Sequence, residues 1–175
     1  MSDLSLIKEL REKTGAGFLD CKNALSENDN NIEQSIDYLR KKGLAKASKK
    51  SSREANEGAV GFYKNENISV ILKINSETDF SAKSDTFLDF LDSIGHIALK
   101  TNNTNLNLND FLKVEDNGKS ISDLLTEMIA KIGENLIIND LKVFDNKENK
   151  VNYYIHNPYR KNIGKIFSAV FYSTE

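Results

Sequence analysis

The hydrophobic period of this chain changes at Gly58, and the change separates two kinds of folding unit. Before it, apolar residues recur three and four apart: Leu6, Ile7 and Leu10, then Phe18, Leu19, Ala24 and Leu25, then Ile32, Ile36 and Leu39. That is the spacing of amphipathic helices. After it, residues 59–63 and 68–74 form short apolar runs flanking the polar Lys64-Asn65-Glu66-Asn67, the pattern of an antiparallel hairpin. The expected class is α+β: an N-terminal three-helix bundle followed by an α+β core with an antiparallel sheet.

Glycines set the expected boundaries. The first helix halts at Thr14-Gly15-Ala16-Gly17, where a left-handed turn is open to the chain, and the third closes at Gly43 after Arg40-Lys41-Lys42. A bundle at residues 1–43 buries little surface relative to its chain entropy and is marginal alone. Residues 44–57 are rich in Lys, Ser and Ala and read as a basic linker; if helical, it aligns Lys42, Lys46, Lys49 or Lys50, and Arg53 on one face. Residues 58–144 make the core subdomain. Within it, 81–100 suit a helix burying Phe87, Phe90, Leu91, Ile94, Ile97 and Ala98, and 101–109 an exposed Asn-rich loop. Residues 120–133 make another helix with its stop at Gly133, and 136–144 a strand. Residues 145–175 begin with a polar turn at 145–149 and continue as two strands, 151–156 and 163–172, joined across Pro158. They read as the start of a second subdomain.

Composition narrows the function classes. At 39% apolar and 29% charged, with no apolar run near the roughly 18 residues of a membrane span, the chain reads as soluble. Charges interrupt the apolar residues of the N-terminus, so it does not read as a signal peptide, and a cytoplasmic location is expected. Cys21 is the single cysteine, which rules out an intrachain disulfide. The net charge of −2 divides into +2 over residues 1–56 and −4 over the remainder, too mild to indicate nucleic acid as a partner.

There is no Walker loop, dinucleotide fingerprint, nucleophile elbow or paired His at metal spacing, so no catalytic residue, metal or cofactor is expected. Asp92 and His96, four apart on a helix, have the spacing of an acid/base pair but equally of an ordinary surface pair. His156 reads as a strand-end residue or a ligand. Cys21, between Asp20 and Lys22, reads as a small buried side chain or a cation-assisted thiolate. The basic stripe reads as a solvated face or a phosphate grip lacking interleaved aromatics.

The junction Ile74-Asn75-Ser76-Glu77-Thr78-Asp79-Phe80-Ser81-Ala82-Lys83 leaves two readings open. Asp79 can cap a helix starting at Ser81, with Phe80 folded back as a core staple. Alternatively Phe80 projects, as interface anchors do.

Ile7 to Gly17 (Ile-Lys-Glu-Leu-Arg-Glu-Lys-Thr-Gly-Ala-Gly) with Asp20-Cys21-Lys22-Asn23-Ala24-Leu25 resembles the opening module of the bacterial elongation factor Ts family. So do Glu77-Thr78-Asp79-Phe80 with Ala82-Lys83, and Ile129-Ala130-Lys131-Ile132-Gly133-Glu134-Asn135. Tyr154-Ile155-His156 followed by Ile163-Gly164-Lys165-Ile166 is similar to the family's later hairpin. Three motifs in the family's order cover most of the chain.

The resemblance implies a translation factor that promotes GDP release from elongation factor Tu, binding both the GDP-bound and nucleotide-free forms. It implies a ubiquitin-associated-like bundle docking on the GTPase domain through Gly15, Leu19, Asp20 and Lys22. It implies that Phe80 is the ring inserted beside the partner's magnesium and phosphate site, with Asp79 its polar neighbour and Thr78 and Ser81 flanking. Ser81 stands where the family commonly has valine. Relative to the family the chain reads as short or C-terminally truncated, and a half-built sheet favours pairing with another copy, which leaves a homodimer open. The rival expectation is a non-catalytic interaction module, with a partner-binding bundle and a dimerising core.

Overall fold

A computed structural model describes residues 4–147 and 150–173. The first three residues, Glu148 and Asn149 of the expected polar turn, and the final two residues lie outside the described residues. Three helices lead: α1 (Leu4–Thr14), α2 (Phe18–Glu27) and α3 (Ile32–Lys50). Ile7 and Leu10 of α1 meet Cys21, Ala24 and Leu25 of α2 in a small buried cluster, against which Ile32, Ile36 and Leu39 of α3 pack. Asn31 caps α3 by accepting from the backbone N–H of Gln34 at 3.0 Å.

Two expectations for the bundle are corrected. Phe18 and Leu19 do not join the buried stripe, because the inward face of α2 is set by Cys21, Ala24 and Leu25; they remain 47% and 67% exposed. Nor does α3 stop at Gly43. Gly43 lies buried inside it, where a Cβ would stand 3.6 Å from the Cβ of Ala130, an ordinary contact distance, so the helix passes through this glycine without strain. The first half of α3 completes the bundle, and Ala47 in its second half packs on the main core.

That core is built on β1 (Glu57–Lys64), β2 (Ile68–Ser76), α4 (Asp79–Ala82), α5 (Asp85–Lys100), α6 (Leu108–Phe111), β3 (Glu115–Asp116), β4 (Lys119–Ser120), α7 (Ile121–Ile132), β5 (Leu136–Asp145), β6 (Lys150–Arg160) and β7 (Ile163–Tyr172). The main sheet is antiparallel in the order β5-β2-β1-β7-β6, with β3 and β4 forming a separate small ribbon. Alternation puts Ile68, Val70, Leu72 and Ile74 of β2 on one face. Phe87, Leu91, Ile94 and Ala98 of α5 close over that face, and Ile121 and Ile129 of α7 extend the layer. Each fully buried large side chain contributes about 1.5–3 kcal/mol of transfer free energy, so this cluster dominates the stability.

Within the sheet, β7 pairs with β1 through a short ladder, Val60↔Gly164 and Gly61↔Ile163. The β6–β7 ribbon then curls across the sheet. Phe62 meets the rings of Tyr153 and Phe167 at 4.4 and 5.0 Å, and Phe171 stacks on Phe144 at 3.7 Å. Residues 150–172 are thus hydrogen-bonded to the sheet of the core.

Pro158 lies inside β6, at a register shift, and the turn falls at Lys161 and Asn162. An edge strand tolerates a residue with no N–H to donate, and β6 is the edge. The Asn-rich stretch after α5 is mostly exposed, but it anchors Leu106, and α6 anchors Phe111, in the core. The single helix expected over 81–100 is two, α4 and α5, because Ser84 starts a new helix by accepting from the N–H of Phe87 at 3.3 Å.

Candidate functional site

At the end of β2 the chain turns through Glu77 and Thr78 into α4. Thr78 is extended (φ −124°, ψ 155°), and its Oγ1 accepts from the N–H of Ser81 at 3.2 Å. Thr78, not Asp79, is therefore the cap. Within one turn of helix, successive side chains point in different directions, so Ser81 and Ala82 go under while Phe80 goes out. Phe80 is 84% exposed, which excludes the core staple and leaves a ring held away from its own core. Asp79 sits beside it, half-buried, with Lys83 Nζ donating to Oδ2 at 2.7 Å. That ammonium holds the Asp79 carboxyl below the usual carboxylate range.

The turn is bound to a segment far along the chain. Gly133, left-handed at φ 85°, ends α7 and directs Glu134 and Asn135 toward residues 77 and 78. Thr78 donates twice to Glu134, from its backbone N–H to Oε2 at 3.0 Å and from Oγ1 to Oε1 at 2.7 Å. In the other direction the backbone N–H of Asn135 donates to Glu77 Oε1 at 2.6 Å. Arg53 approaches Glu77 at 3.5 Å, the Asn135 side chain donates to the Arg53 carbonyl at 2.7 Å, and Lys50 donates to the Gly133 carbonyl. Glu134 and Asn135 stood in the sequence as part of a motif with no role; a separation of 56 residues from Thr78 leaves no local signal of the contact.

The four candidates on the bundle divide. Gly15 forms the left-handed turn after α1, at φ 65°. Leu19 and Lys22 are exposed on α2. Asp20 faces inward along the bundle surface and accepts from Lys42 at 2.9 Å and Lys46 at 3.1 Å. The Lys42 hydrogen bond is the main reason its carboxyl is held below the ordinary value. The basic stripe is thereby occupied at Lys42, Lys46, Lys50 and Arg53. The bundle candidates and Phe80 lie on different elements, the former on α2 and the turn before it, the latter on α4.

The other weighed residues have structural partners. His96 Nδ1 lies 2.8 Å from the Asp92 carbonyl, while its ring packs edge-on against Tyr63 at 5.1 Å. The Asp92 carboxylate accepts from Asn162 at 2.8 Å, which ties α5 to the β6–β7 turn. His156 is exposed beside Tyr154. Cys21 is fully buried, and burial pushes its thiol pKa up. Among the described residues no cluster of His, Cys, Asp and Glu is arranged to hold a metal ion, and no helix is long and apolar enough to cross a membrane.

Comparison with known proteins gives one family. The family model described as Elongation factor TS matches residues 77–174, a span that begins at the Glu77 turn. Elongation factor Ts of Allorhizobium ampelinum is 43% identical over 162 residues, covering 93% of this chain and 52% of that protein. The proteins of the same name from Rhizobium etli and Rickettsia felis are 42% and 41% identical, each covered over 54% of its length. The chain thus spans about half the length of the curated relatives it matches. The alignments cover the bundle as well as the core, and this chain belongs to the elongation factor Ts family.

Proposed function

We infer that this chain acts in translation elongation by promoting GDP release from elongation factor Tu, with Phe80 as the inserted ring and Thr78, Asp79 and Ser81 as its immediate frame. The observation that carries this reading is an aromatic ring 84% exposed on a turn pinned at both ends, in a chain of this family. A free ring of that size gains contact area on entering a partner at little cost in its own order. The mechanism is a coupling of two binding events. A factor that binds the nucleotide-free GTPase more tightly than its GDP complex must weaken GDP by the same ratio. Each tenfold change corresponds to about 1.4 kcal/mol, within reach of one buried ring and a disturbed magnesium contact in the partner. No bond in a substrate is made or broken.

In this reading residues 1–43 dock on the GTPase domain through the exposed Leu19 and Lys22 and the Gly15 turn, with Asp20 holding α2 on α3. Residues 44–57 connect them to the core at 58–144, and the protein works in the cytoplasm. Residues 145–175 carry the surface of a homodimer; β6 is an open sheet edge, and Tyr154, Ile166 and Val170 lie exposed on one face of the ribbon.

The test is release of a fluorescent GDP analogue from elongation factor Tu. Acceleration by this chain that is lost in Phe80→Ala supports the reading. No acceleration, or full acceleration retained by Phe80→Ala, overturns it. A pulldown that recovers a different stoichiometric protein and no elongation factor Tu would favour the interaction-module alternative.

A further inference from the structure

We propose that Glu134 is a positioning residue for Phe80: its carboxylate, fixed on the end of α7, sets the orientation of the one-turn helix that carries the ring. The inference rests on the reading of Phe80 as the inserted residue. A single helical turn has almost no stability of its own, because its first hydrogen bond must order several residues at once. Something outside α4 must therefore fix its direction.

Glu134 does so through one hydroxyl. The Thr78 Oγ1 proton goes to Glu134 Oε1, which leaves the lone pairs of that oxygen to accept the N–H of Ser81. The second carboxylate oxygen takes the Thr78 backbone N–H at 3.0 Å, so the fork fixes both the peptide plane and the side-chain rotamer of the cap. The cap residue then sets where Asp79 and Phe80 leave the sheet. The carboxylate is itself well mounted. Helix α7 starts at a reciprocal capping box between Ser120 and Asp123 and ends at a left-handed glycine, and Asn135, beside Glu134, is buried and held by Glu77 and the Arg53 carbonyl.

The two segments clasp reciprocally, each supplying a glutamate that accepts a backbone N–H of the other: Glu134 from Thr78 and Glu77 from Asn135. Glu77 steadies the clasp as a whole. Of the two glutamates, Glu134 is the one that reaches Thr78, engaging its N–H and hydroxyl, while the Thr78 carbonyl accepts from Ser76 Oγ at 3.0 Å. Removing Glu134 leaves the cap hydroxyl free to rotate and the Thr78 N–H to solvent, so the ring samples directions in which it cannot enter a partner.

The experiment compares the full chain with Glu134→Gln and Glu134→Ala, by amide hydrogen exchange and by release of a fluorescent GDP analogue. Loss of charge-assisted hydrogen bonds predicts that Glu134→Ala lowers protection at the Thr78 and Ser81 amides about tenfold. Amides of β2 and α5 keep theirs. Release at saturating factor falls about tenfold with half-saturation little changed, and Glu134→Gln, which keeps one acceptor, lies between. Unchanged protection at residues 78–82 overturns the proposal. So does loosened protection with undiminished release, in a background where Phe80→Ala abolishes release. If Phe80→Ala leaves release untouched, the inserted-ring reading fails by itself, and the amides alone decide whether Glu134 holds the turn.

Discussion

Phe80 and Ser81 are consecutive residues of one helical turn, yet the ring is 84% exposed while the serine is 7% exposed with its hydroxyl turned inward. Ser81 Oγ is the buried side-chain oxygen that lacks a hydrogen-bond partner among the described residues. The turn thus presents an apolar group to water and a polar group to the core. The inverted pair separates what the fold needs from what a partner would use.

Ser81→Ala removes a hydroxyl that loses its hydration on folding and recovers no hydrogen bond. The expected gain is about 1 kcal/mol, read as a higher urea midpoint with an unchanged slope. A lower midpoint for Ser81→Ala would mean that the hydroxyl has a partner after all.

Phe80→Ala removes a side chain that is 84% exposed. Its stability is expected to lie within about 0.5 kcal/mol of the parent. If Phe80 is the inserted ring of the proposed function, its loss costs about 2 kcal/mol or more of affinity for nucleotide-free elongation factor Tu. Calorimetric titration and thermal unfolding of the same preparation separate the two effects; a large fall in stability would place the ring in the fold.

Gly95→Ala should reverse the usual sign of a helical glycine replacement. In an exposed helix the change stabilises by about 0.5–1 kcal/mol. Here a Cβ would stand 2.1 Å from the ring of Tyr63, a buried side chain whose hydroxyl donates to the Leu91 carbonyl at 3.0 Å. Helix and sheet must separate to admit it, at a cost of about 2–3 kcal/mol by thermal unfolding.

Asp20 predicts a pH dependence. Its carboxyl is lowered in the folded chain, so the stability it contributes is present above the ordinary carboxylate range and fades as pH falls through that range toward the lowered value. The groups are partly exposed, which limits the contribution to about 0.5–1 kcal/mol. Urea midpoints of the parent and Asp20→Asn should differ near pH 7 and converge on acidification. A difference that persists at acid pH would point to packing of the side chain.

Much of the architecture was legible because it rests on local rules. Helical spacing in Leu6, Ile7 and Leu10, the alternation in β2 and the stop at Gly133 depend on residues within one or two turns or a single strand. The places where those rules misled are tertiary. Gly43 has the form of a helix stop, yet α3 runs on through it to Lys50, and Ala47 in that second half packs on the main core. Pro158 has the form of a turn residue, yet the edge position of β6 accommodates it. Phe18 and Leu19 have the hydrophobicity of core residues, yet the inward face of α2 lies elsewhere.

The site divides along the same line. The sequence by itself determined that residues 74–83 pass from a strand into a polar, hydroxyl-rich turn bearing one aromatic, and that the chain resembles one family, because those facts are carried by adjacent residues. Whether Phe80 points in or out, that Thr78 rather than Asp79 caps the turn, and that Glu134 holds Thr78 were decided only by the tertiary structure. A ring on a single helical turn has no preferred side until the sheet beneath and the α7 terminus beside it fix the turn, and the fixing contact spans 56 residues of chain.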